Sequence, residues 1–251
     1  MKTDARQLFD RTRLLVGDDS MAKLAEVRVI LLGVGGVGSW CAEALVRSGV
    51  THLCIVDPDA VASSNVNRQA MATTRTVGRP KVEAMRERLL EINPDAEIDA
   101  VQDAYTPETA ARFDLDSYDY VVDAVDSLSN KAELILNSCR SRAVFLSSMG
   151  AALKLDPTRV KVAEFWNVRG CPLGAALRKR FRKRGTLPAK KFLCVYDDEV
   201  LEMRGADRGA GIPGQDSPSD AGKAQINGSM VPVTAIFGFT LAGIILKDII
   251  G

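Results

Sequence analysis

A glycine-rich turn between an apolar run and a helix pattern carries the strongest chemical signal in this chain. The run at residues 28–32 is typical of a buried strand, and the turn follows it directly. The turn glycines are Gly33, Gly35, Gly36 and Gly38. Glycines let a phosphate approach the backbone, and the amino end of the next helix offers unpaired N–H groups with a partial positive charge. Because Asp57 ends the next apolar run, where a carboxylate can bind ribose, we predict a nucleotide site.

Polar residues further along favour a nucleoside triphosphate over a dinucleotide. A dehydrogenase needs only the ribose carboxylate, whereas this chain also carries Asn65, Arg68 and Lys81 close behind it. Cationic side chains can stabilise charge on the α-phosphate and on departing pyrophosphate. Asp126, close behind a later apolar run, can hold Mg²⁺ through its oxygens. We therefore predict ATP with Mg²⁺ as the ligand, and an NAD oxidoreductase or a nucleotide-binding scaffold as the more distant alternatives.

Each of these residues has an ordinary structural explanation when it is taken alone. Asp57 and Asp59 flank a proline, a pattern typical of turns. Most Arg and Lys side chains are simply exposed to solvent, and Asp126 with Ser127 can cap a helix. These explanations do not predict the order and spacing of the whole set, so we favour the nucleotide site.

Five motifs in order resemble the ubiquitin-activating-enzyme-like adenylyltransferases. They are the glycine turn, D-x-D, S-N-x-x-R-Q, V-G-x-x-K and D-x-x-D-S, and the match is strongest over residues 6–150. The resemblance implies that this chain activates a carboxylate with ATP, as the activators of sulfur-carrier proteins do. It also implies a homodimer, in which Arg11 reaches the ATP site of the partner subunit.

The resemblance assigns a role to each matching residue. Asp57 would bind ribose, and Asn65 would contact phosphate together with Arg68. Lys81 would polarise the α-phosphate, and Asp126 would hold Mg²⁺. A monovalent cation is a further candidate cofactor, with no residue assigned to it. The implied catalytic residues are Arg11, Arg68, Lys81 and Asp126. The implied nucleotide-binding residues are Gly33, Gly35, Gly36, Gly38, Asp57, Asp59, Asn65, Arg68, Lys81, Asp126 and Ser127.

Strand and helix patterns alternate through the first 150 residues. The predicted strands are 28–32, 53–57, 97–101, 119–123 and 144–148, and the predicted helices are 36–48, 80–92 and 128–141. This alternation predicts an α/β fold, a Rossmann-like, doubly wound, mostly parallel sheet. We expect a single domain over residues 1–251, with a nucleotide-binding core at 1–150 and a substrate-side extension at 151–251.

The extension is predicted to contain a strand at 160–166, a helix at 172–184 and a mobile loop at about 205–228. A strongly apolar tail then predicts a buried C-terminal helix. Its apolar stretch, residues 231–246, has 16 residues and is short of a bilayer span. We therefore expect no membrane span.

Composition excludes several classes of protein. The net charge of +1 gives no overall field that would attract nucleic acid. The five cysteines form no C-x-x-C pair, which argues against a disulfide framework or a four-cysteine zinc site and for a reducing compartment. With no apolar signal region at the amino terminus, these features predict a cytoplasmic protein.

A local basic run departs from this balance, with six cations between Arg178 and Arg184. Such a run either binds an anionic partner such as an RNA backbone or forms a solvated helix end. Segments beginning at Gly150, Cys171 and Cys194 resemble the branch of the family that acts on threonylcarbamoyladenosine in tRNA, which lacks the zinc pairs.

The branch implies ATP-dependent dehydration, a cyclisation through an acyl-adenylate, with tRNA as partner. The alternative is adenylation of the C-terminus of a ubiquitin-like sulfur carrier, with Cys171 or Cys194 accepting the acyl group or sulfur. For these two cysteines we favour a buried structural role. The family also suggests a cysteine desulfurase or sulfur-acceptor system as a partner.

Overall fold

Seven strands form one sheet in a computed structural model that describes residues 5–205 and 227–251. The strands are β1 (Arg28–Leu32), β2 (His52–Val56), β3 (Glu97–Val101), β4 (Tyr120–Asp123), β5 (Val144–Ser148), β6 (Lys161–Glu164) and β7 (Leu193–Tyr196). Their order is β3-β2-β1-β4-β5-β7-β6, and every neighbouring pair is parallel except β6 with β7. The predicted Rossmann-like, mostly parallel sheet is confirmed.

Helices cover both faces of this sheet. They are α1 (Ala5–Leu8), α2 (Asp10–Val16), α3 (Asp18–Glu26), α4 (Gly38–Arg47), α5 (Lys81–Ile92), α6 (Leu128–Ser138), α7 (Pro172–Arg184) and α8 (Val231–Ile250). Alternate side chains of β1 point to opposite faces, so Val29 and Leu31 pack with α4, α5 and α8, whereas Ile30 and Leu32 pack with α6 and α7. Strands buried on both faces read as continuous apolar runs, as β1 does.

The order of the strands creates a crevice beside β1. The chain passes from β1 to β2 and β3 on one side and then crosses back to β4 on the other. At such a switch point the two connections leave on opposite faces, and ligands bind beyond the carboxyl ends of the strands. The glycine turn follows β1 at this edge.

Helix α8 packs as part of the core. It has 20 residues, and its most apolar stretch of 18 has a mean hydropathy of 1.9. Among the described residues it is the one helix that reaches the length and apolarity of a membrane span. Length therefore does not decide its role, contrary to the argument from the 16-residue apolar run. Its buried side packs mainly on α4, and a β-carbon at Gly238 would lie 2.5 Å from the Val37 carbonyl oxygen.

The bounds of the later helices and strands agree only in part with the prediction. Helix α7 has the predicted bounds, whereas α6 ends at Ser138 rather than 141 because a turn follows it. The strand predicted at 160–166 is shorter, because a 3₁₀ turn begins at Phe165. Most of the loop predicted at 205–228 falls outside the described residues. All five cysteines are free and buried in the structure.

Candidate functional site

The glycine turn folds tightly against the end of β4. Gly33 has a φ of +95°, and a β-carbon there would lie 2.6 Å from the carbonyl oxygen of Ala124. A β-carbon at Gly38, the first residue of α4, would overlap the carbonyl oxygen of Gly33. These two glycines are therefore required by the fold of the turn itself.

The two middle glycines face outward from the turn. A β-carbon at Gly35 would meet no atom within 4 Å, whereas one at Gly36 would lie 3.2 Å from the side chains of Arg68 and Thr234. Gly35 thus leaves open backbone at the amino end of α4, where a phosphate can bind. Gly36 lets Arg68 lie directly over the turn.

Alanine at Gly38 should affect mainly stability, whereas alanine at Gly35 should affect mainly ATP binding. Gly38→Ala should lower the free energy of unfolding by about 3 kcal/mol, because its methyl group meets backbone that cannot rotate away. Gly35→Ala should change stability by less than about 0.5 kcal/mol but weaken ATP binding about tenfold, by obstructing the approach of phosphate. Urea unfolding and calorimetry with ATP measure the two effects. Equal loss of stability in both variants would contradict this assignment.

Asp57 is held in place by the turn that it faces. Its Oδ2 accepts a hydrogen bond from Val34 N at 2.7 Å, and its Oδ1 accepts one from Asp59 N at 3.0 Å. Burial raises the pKa of the Asp57 carboxyl above its ordinary value, and Lys81 acts in the opposite direction. The position directly after β2 is the one in which Rossmann folds place a ribose ligand.

Lys81 is buried beside two carboxylates rather than exposed on the surface. Its Nζ lies 2.8 Å from Asp59 Oδ2 and 3.4 Å from Asp57 Oδ1. An antiparallel bridge between Ala60 and Pro80 brings the two segments together at the start of α5. The structure thus unites Asp57, Asp59 and Lys81 in one buried cluster at the carboxyl edge of the sheet.

Arg68 lies over the glycine turn and is held there through both its backbone and its guanidinium group. Its carbonyl oxygen accepts a hydrogen bond from Trp40 Nε1 at 2.9 Å, and its Nη1 donates to Ser64 O at 2.8 Å. Asn65 shapes the same turn, since its Oδ1 accepts from Ala62 N and its carbonyl oxygen accepts from Arg68 N. The Asn65 side-chain oxygen is therefore used inside the protein, and a phosphate contact would fall to its amide group.

Asp126 and Ser127 follow β4, where the chain packs against Gly33. Asp126 is exposed, and Ser127 occupies the N-cap position of α6 without a side-chain capping bond. No group of three or more potential metal ligands occurs in the part of the chain that the structure describes. Mg²⁺ that arrives with a triphosphate needs only one or two carboxylates, because phosphate and water oxygens complete its shell. The single carboxylate of Asp126 is therefore sufficient to hold such an ion together with the phosphates.

Arg11 is the one predicted site residue that the chain does not bring to this edge. It lies exposed on α2, whose neighbours Leu8 and Phe9 line a cavity of about 430 Å³ with Arg47 and Ile92, the last residues of α4 and α5. Those helices begin at the glycine-turn edge and end at the opposite one. Arg11 is therefore remote from the nucleotide site of its own chain.

Two features of the site were missed in the sequence. Asp123 is fully buried beneath the Asp126 segment, where its Oδ2 accepts from Lys131 Nζ and Ser147 Oγ, both at 2.6 Å. Its Oδ1 accepts from Val125 N at 3.0 Å and so shapes the segment that contacts the glycine turn. The start of α8 also reaches the site, since Thr234 packs on Gly36. In the sequence, Lys131 is an isolated lysine and α8 is an apolar tail, so neither indicated its contact with the site.

Comparisons with known proteins agree with this geometry. A model described as the ThiF family matches residues 9–251. The tRNA threonylcarbamoyladenosine dehydratase of Bacillus subtilis is 41% identical over 191 residues, which cover 76% of this chain and 74% of that protein. The enzyme of the same name from Escherichia coli is 34% identical, over 96% of this chain and 93% of its own. The crystal structure of E. coli TcdA in complex with ATP superposes with a TM-score of 0.83 at 33% identity, covering 99% of this chain and 96% of that one.

Proposed function

This chain belongs to the ThiF family, and on that basis we propose that it is an ATP-dependent tRNA threonylcarbamoyladenosine dehydratase. The observation that carries the proposal is similarity to enzymes of that name over almost the whole chain, including the extension after residue 150. The clustering of Lys81 and Arg68 around an open glycine turn supports the same conclusion, because ATP activation of a carboxylate needs cations beside the phosphates.

The residues of the site divide the work of holding ATP. The turn around Gly35 and the amino end of α4 receive phosphates through backbone N–H groups. Asp57 binds the ribose, and Arg68 and Lys81 stabilise negative charge on the α-phosphate and on pyrophosphate. Asp126 holds Mg²⁺, which neutralises phosphate charge when it is bound.

The chemistry consists of two displacements. An oxygen of the threonyl carboxylate attacks the α-phosphorus of ATP, and pyrophosphate leaves with the electrons of the broken P–O bond. A nitrogen or oxygen of the carbamoyl group then attacks the carboxyl carbon, an N–H proton of that group is released to solvent, and AMP leaves carrying the former carboxylate oxygen. The substrate has thus lost the elements of water and gained a ring. Because the nucleophile belongs to the substrate, the protein contributes positioning and charge stabilisation.

Several parts of the proposal concern the environment of the enzyme. We propose a homodimer in which Arg11 enters the partner subunit's ATP site, since α2 leaves Leu14 and Leu15 almost fully exposed. We also propose that the protein is cytoplasmic, because its five free thiols are compatible with a reducing compartment. A monovalent cation and a cysteine desulfurase or sulfur-acceptor system remain further candidates from the family alone.

Adenylation of a sulfur-carrier protein is the second candidate function. It shares the first displacement and differs only in the carboxylate that is activated. The absence of C-x-x-C pairs in the sequence counts against it, because many sulfur-carrier activators of this family use such pairs to bind zinc.

Mass spectrometry of tRNA nucleosides tests the proposed activity. Incubation of threonylcarbamoyladenosine-containing tRNA with enzyme, ATP and Mg²⁺ should produce a nucleoside lighter by one water, together with AMP and pyrophosphate. Omitting ATP, or replacing it with NAD, is the control. Calorimetric binding of NAD with no binding of ATP would reject adenylation, and ATP turnover without a change in the tRNA nucleoside would favour the sulfur-carrier alternative.

The two cysteines of the extension should be dispensable for catalysis. Cys171 and Cys194 are buried, and burial raises the pKa of the Cys194 thiol well above its ordinary value. Cys171→Ser and Cys194→Ser should each keep at least about half of the wild-type kcat, because a side chain that makes no interaction with the transition state does not change the chemical step. The same mass-spectrometric assay measures this. Loss of turnover in a variant that still folds and binds ATP would show that a thiol takes part.

A further inference from the structure

The basic end of α7 lies at the edge of the sheet opposite the nucleotide site. The helix starts near the carboxyl end of β5, where a β-carbon at Gly150 would lie 3.7 Å from Leu173. Its 13 residues span about 20 Å. Beyond its end, Lys190 donates to the carbonyl oxygen of Ser141, which precedes β5, at 2.8 Å. The helix therefore runs from one edge of the sheet to the other.

Only part of the predicted six-cation run is exposed. Arg178 is partly buried, donates to the Phe165 carbonyl oxygen at 3.2 Å and lies 5.9 Å from the centre of that ring. Arg180 is also partly buried. The exposed cations of α7 are Lys179, Arg182, Lys183 and Arg184. Within residues 5–205 and 227–251, none of these four is ion-paired with a carboxylate.

The neighbouring helix adds a further cation at the same edge. Helix α6 packs beside α7 and ends at the same side of the sheet, where the exposed Arg140 follows it. The hydrogen bond from Lys190 to Ser141 joins the segments that follow the two helices. We call the set of Arg140, Lys179, Arg182, Lys183 and Arg184 the basic edge.

The helix dipole does not account for the whole of the basic edge. Cations near a helix carboxyl end are favourable by about 0.3–1 kcal/mol, but the effect is confined to the last turn, which contains Arg182, Lys183 and Arg184 and not Lys179 or Arg140. Clustered like charges repel one another, and a ligand with repeated negative charges relieves that repulsion. Protein interfaces are depleted of lysine, whereas contacts of Lys and Arg with phosphates supply a large share of the binding energy for nucleic acids. These properties favour RNA over a protein.

We propose that the basic edge binds the phosphate backbone of tRNA at a point remote from the nucleoside that reacts. This inference rests on the proposed function, which requires the reacting nucleoside to lie at the glycine-turn edge. A separation of about the length of α7 is easily bridged by a folded tRNA and not by a nucleoside. The basic edge would therefore supply affinity for tRNA without touching the chemistry.

Direct tRNA binding tests the inference independently of catalysis. Fluorescence anisotropy should give a Kd for tRNA at least about tenfold higher for the quadruple variant K179Q/R182Q/K183Q/R184Q than for wild type. The slope of log Kd against log salt should fall by about 3, because four phosphate contacts are lost. In turnover assays the KM for tRNA should rise while kcat at saturating tRNA and the affinity for ATP stay unchanged.

A matched pair of variants separates site from net charge. R182Q/K183Q should weaken tRNA binding, whereas K23Q/K247Q, which removes two exposed cations from α3 and α8, should not. Equal effects of the two variants, or a wild-type Kd and salt slope in the quadruple variant, would overturn the inference and leave the proposed function intact. The inference would also be overturned if the quadruple variant lost binding to a protein partner while its binding to tRNA stayed unchanged. Wild-type enzyme that binds tRNA through the basic edge but converts no nucleoside would instead reject the proposed function.

Discussion

Replacing Lys81 with alanine is expected to slow pyrophosphate release by about 10²–10³-fold, the effect of removing one preorganised charge-stabilising donor. The ammonium lies at the start of α5, 2.8 Å from Asp59, and burial among fixed partners holds it in one position. Since charge on the phosphates grows as the P–O bond breaks, the loss should appear mainly in kcat and less in ATP affinity. Release of labelled pyrophosphate at saturating ATP and tRNA measures it.

The variant also needs a structural control, because Lys81→Ala leaves Asp57 and Asp59 buried without their cation. Loss of Lys81 should raise the pKa of the Asp57 carboxyl further, since Lys81 is the main group that lowers it. Thermal unfolding and calorimetry with ATP distinguish a misfolded site from a slow one. Lys23→Ala, at an exposed position, should behave as wild type. An unchanged rate in a folded Lys81→Ala protein would leave the lysine with a purely structural role.

Replacing Lys131 with methionine is expected to lower the free energy of unfolding by about 3–5 kcal/mol, the usual cost of leaving one member of a buried ion pair alone. The side chains of Lys131 and Asp123 are both completely buried, and their charged atoms are 2.6 Å apart. Urea denaturation with an unchanged m-value measures the loss.

A second substitution tests whether the stranded charge is the cause. Asn at position 123 carries no charge and keeps an oxygen for Val125 N, which now donates to Asp123 Oδ1. The double variant D123N/K131M should therefore recover most of the stability that Lys131→Met loses. A single variant that costs less than about 1 kcal/mol would show that the pair contributes little.

The strands of the first 150 residues were predictable because their signals are local. Continuous apolar runs and the glycine turn located all five parallel strands before residue 150, to within one residue at each end. Strand β7 has only four residues, and its identity depends on pairing with β5 and β6, which no local pattern reports. The short helix α2 was missed because it buries no side chain and so has no apolar face to predict.

Sequence motifs named most of the residues that the structure brings together at the glycine-turn edge, but they missed Thr234 and the contacts of Asp123. The motif spacing named Asp59 and Lys81, yet their ion pair depends on the bridge between Ala60 and Pro80. Burial of Lys131 ran against the usual exposure of lysine, and only the position of Asp123 at the end of β4 explains it. Tertiary contacts of this kind have no signature in the spacing of residues along one segment.

The burial of all five thiols has a consequence for how the protein meets oxidants and electrophiles. The reactive form of cysteine is the thiolate, and burial raises the pKa of Cys41 to about 12 and that of Cys139 to about 11. At neutral pH almost no thiolate forms at these two positions, and burial of all five thiols limits the access of peroxide while the protein is folded. The cysteines of the folded protein should therefore respond little to the redox state of its surroundings, and cysteine oxidation should begin mainly when the chain unfolds.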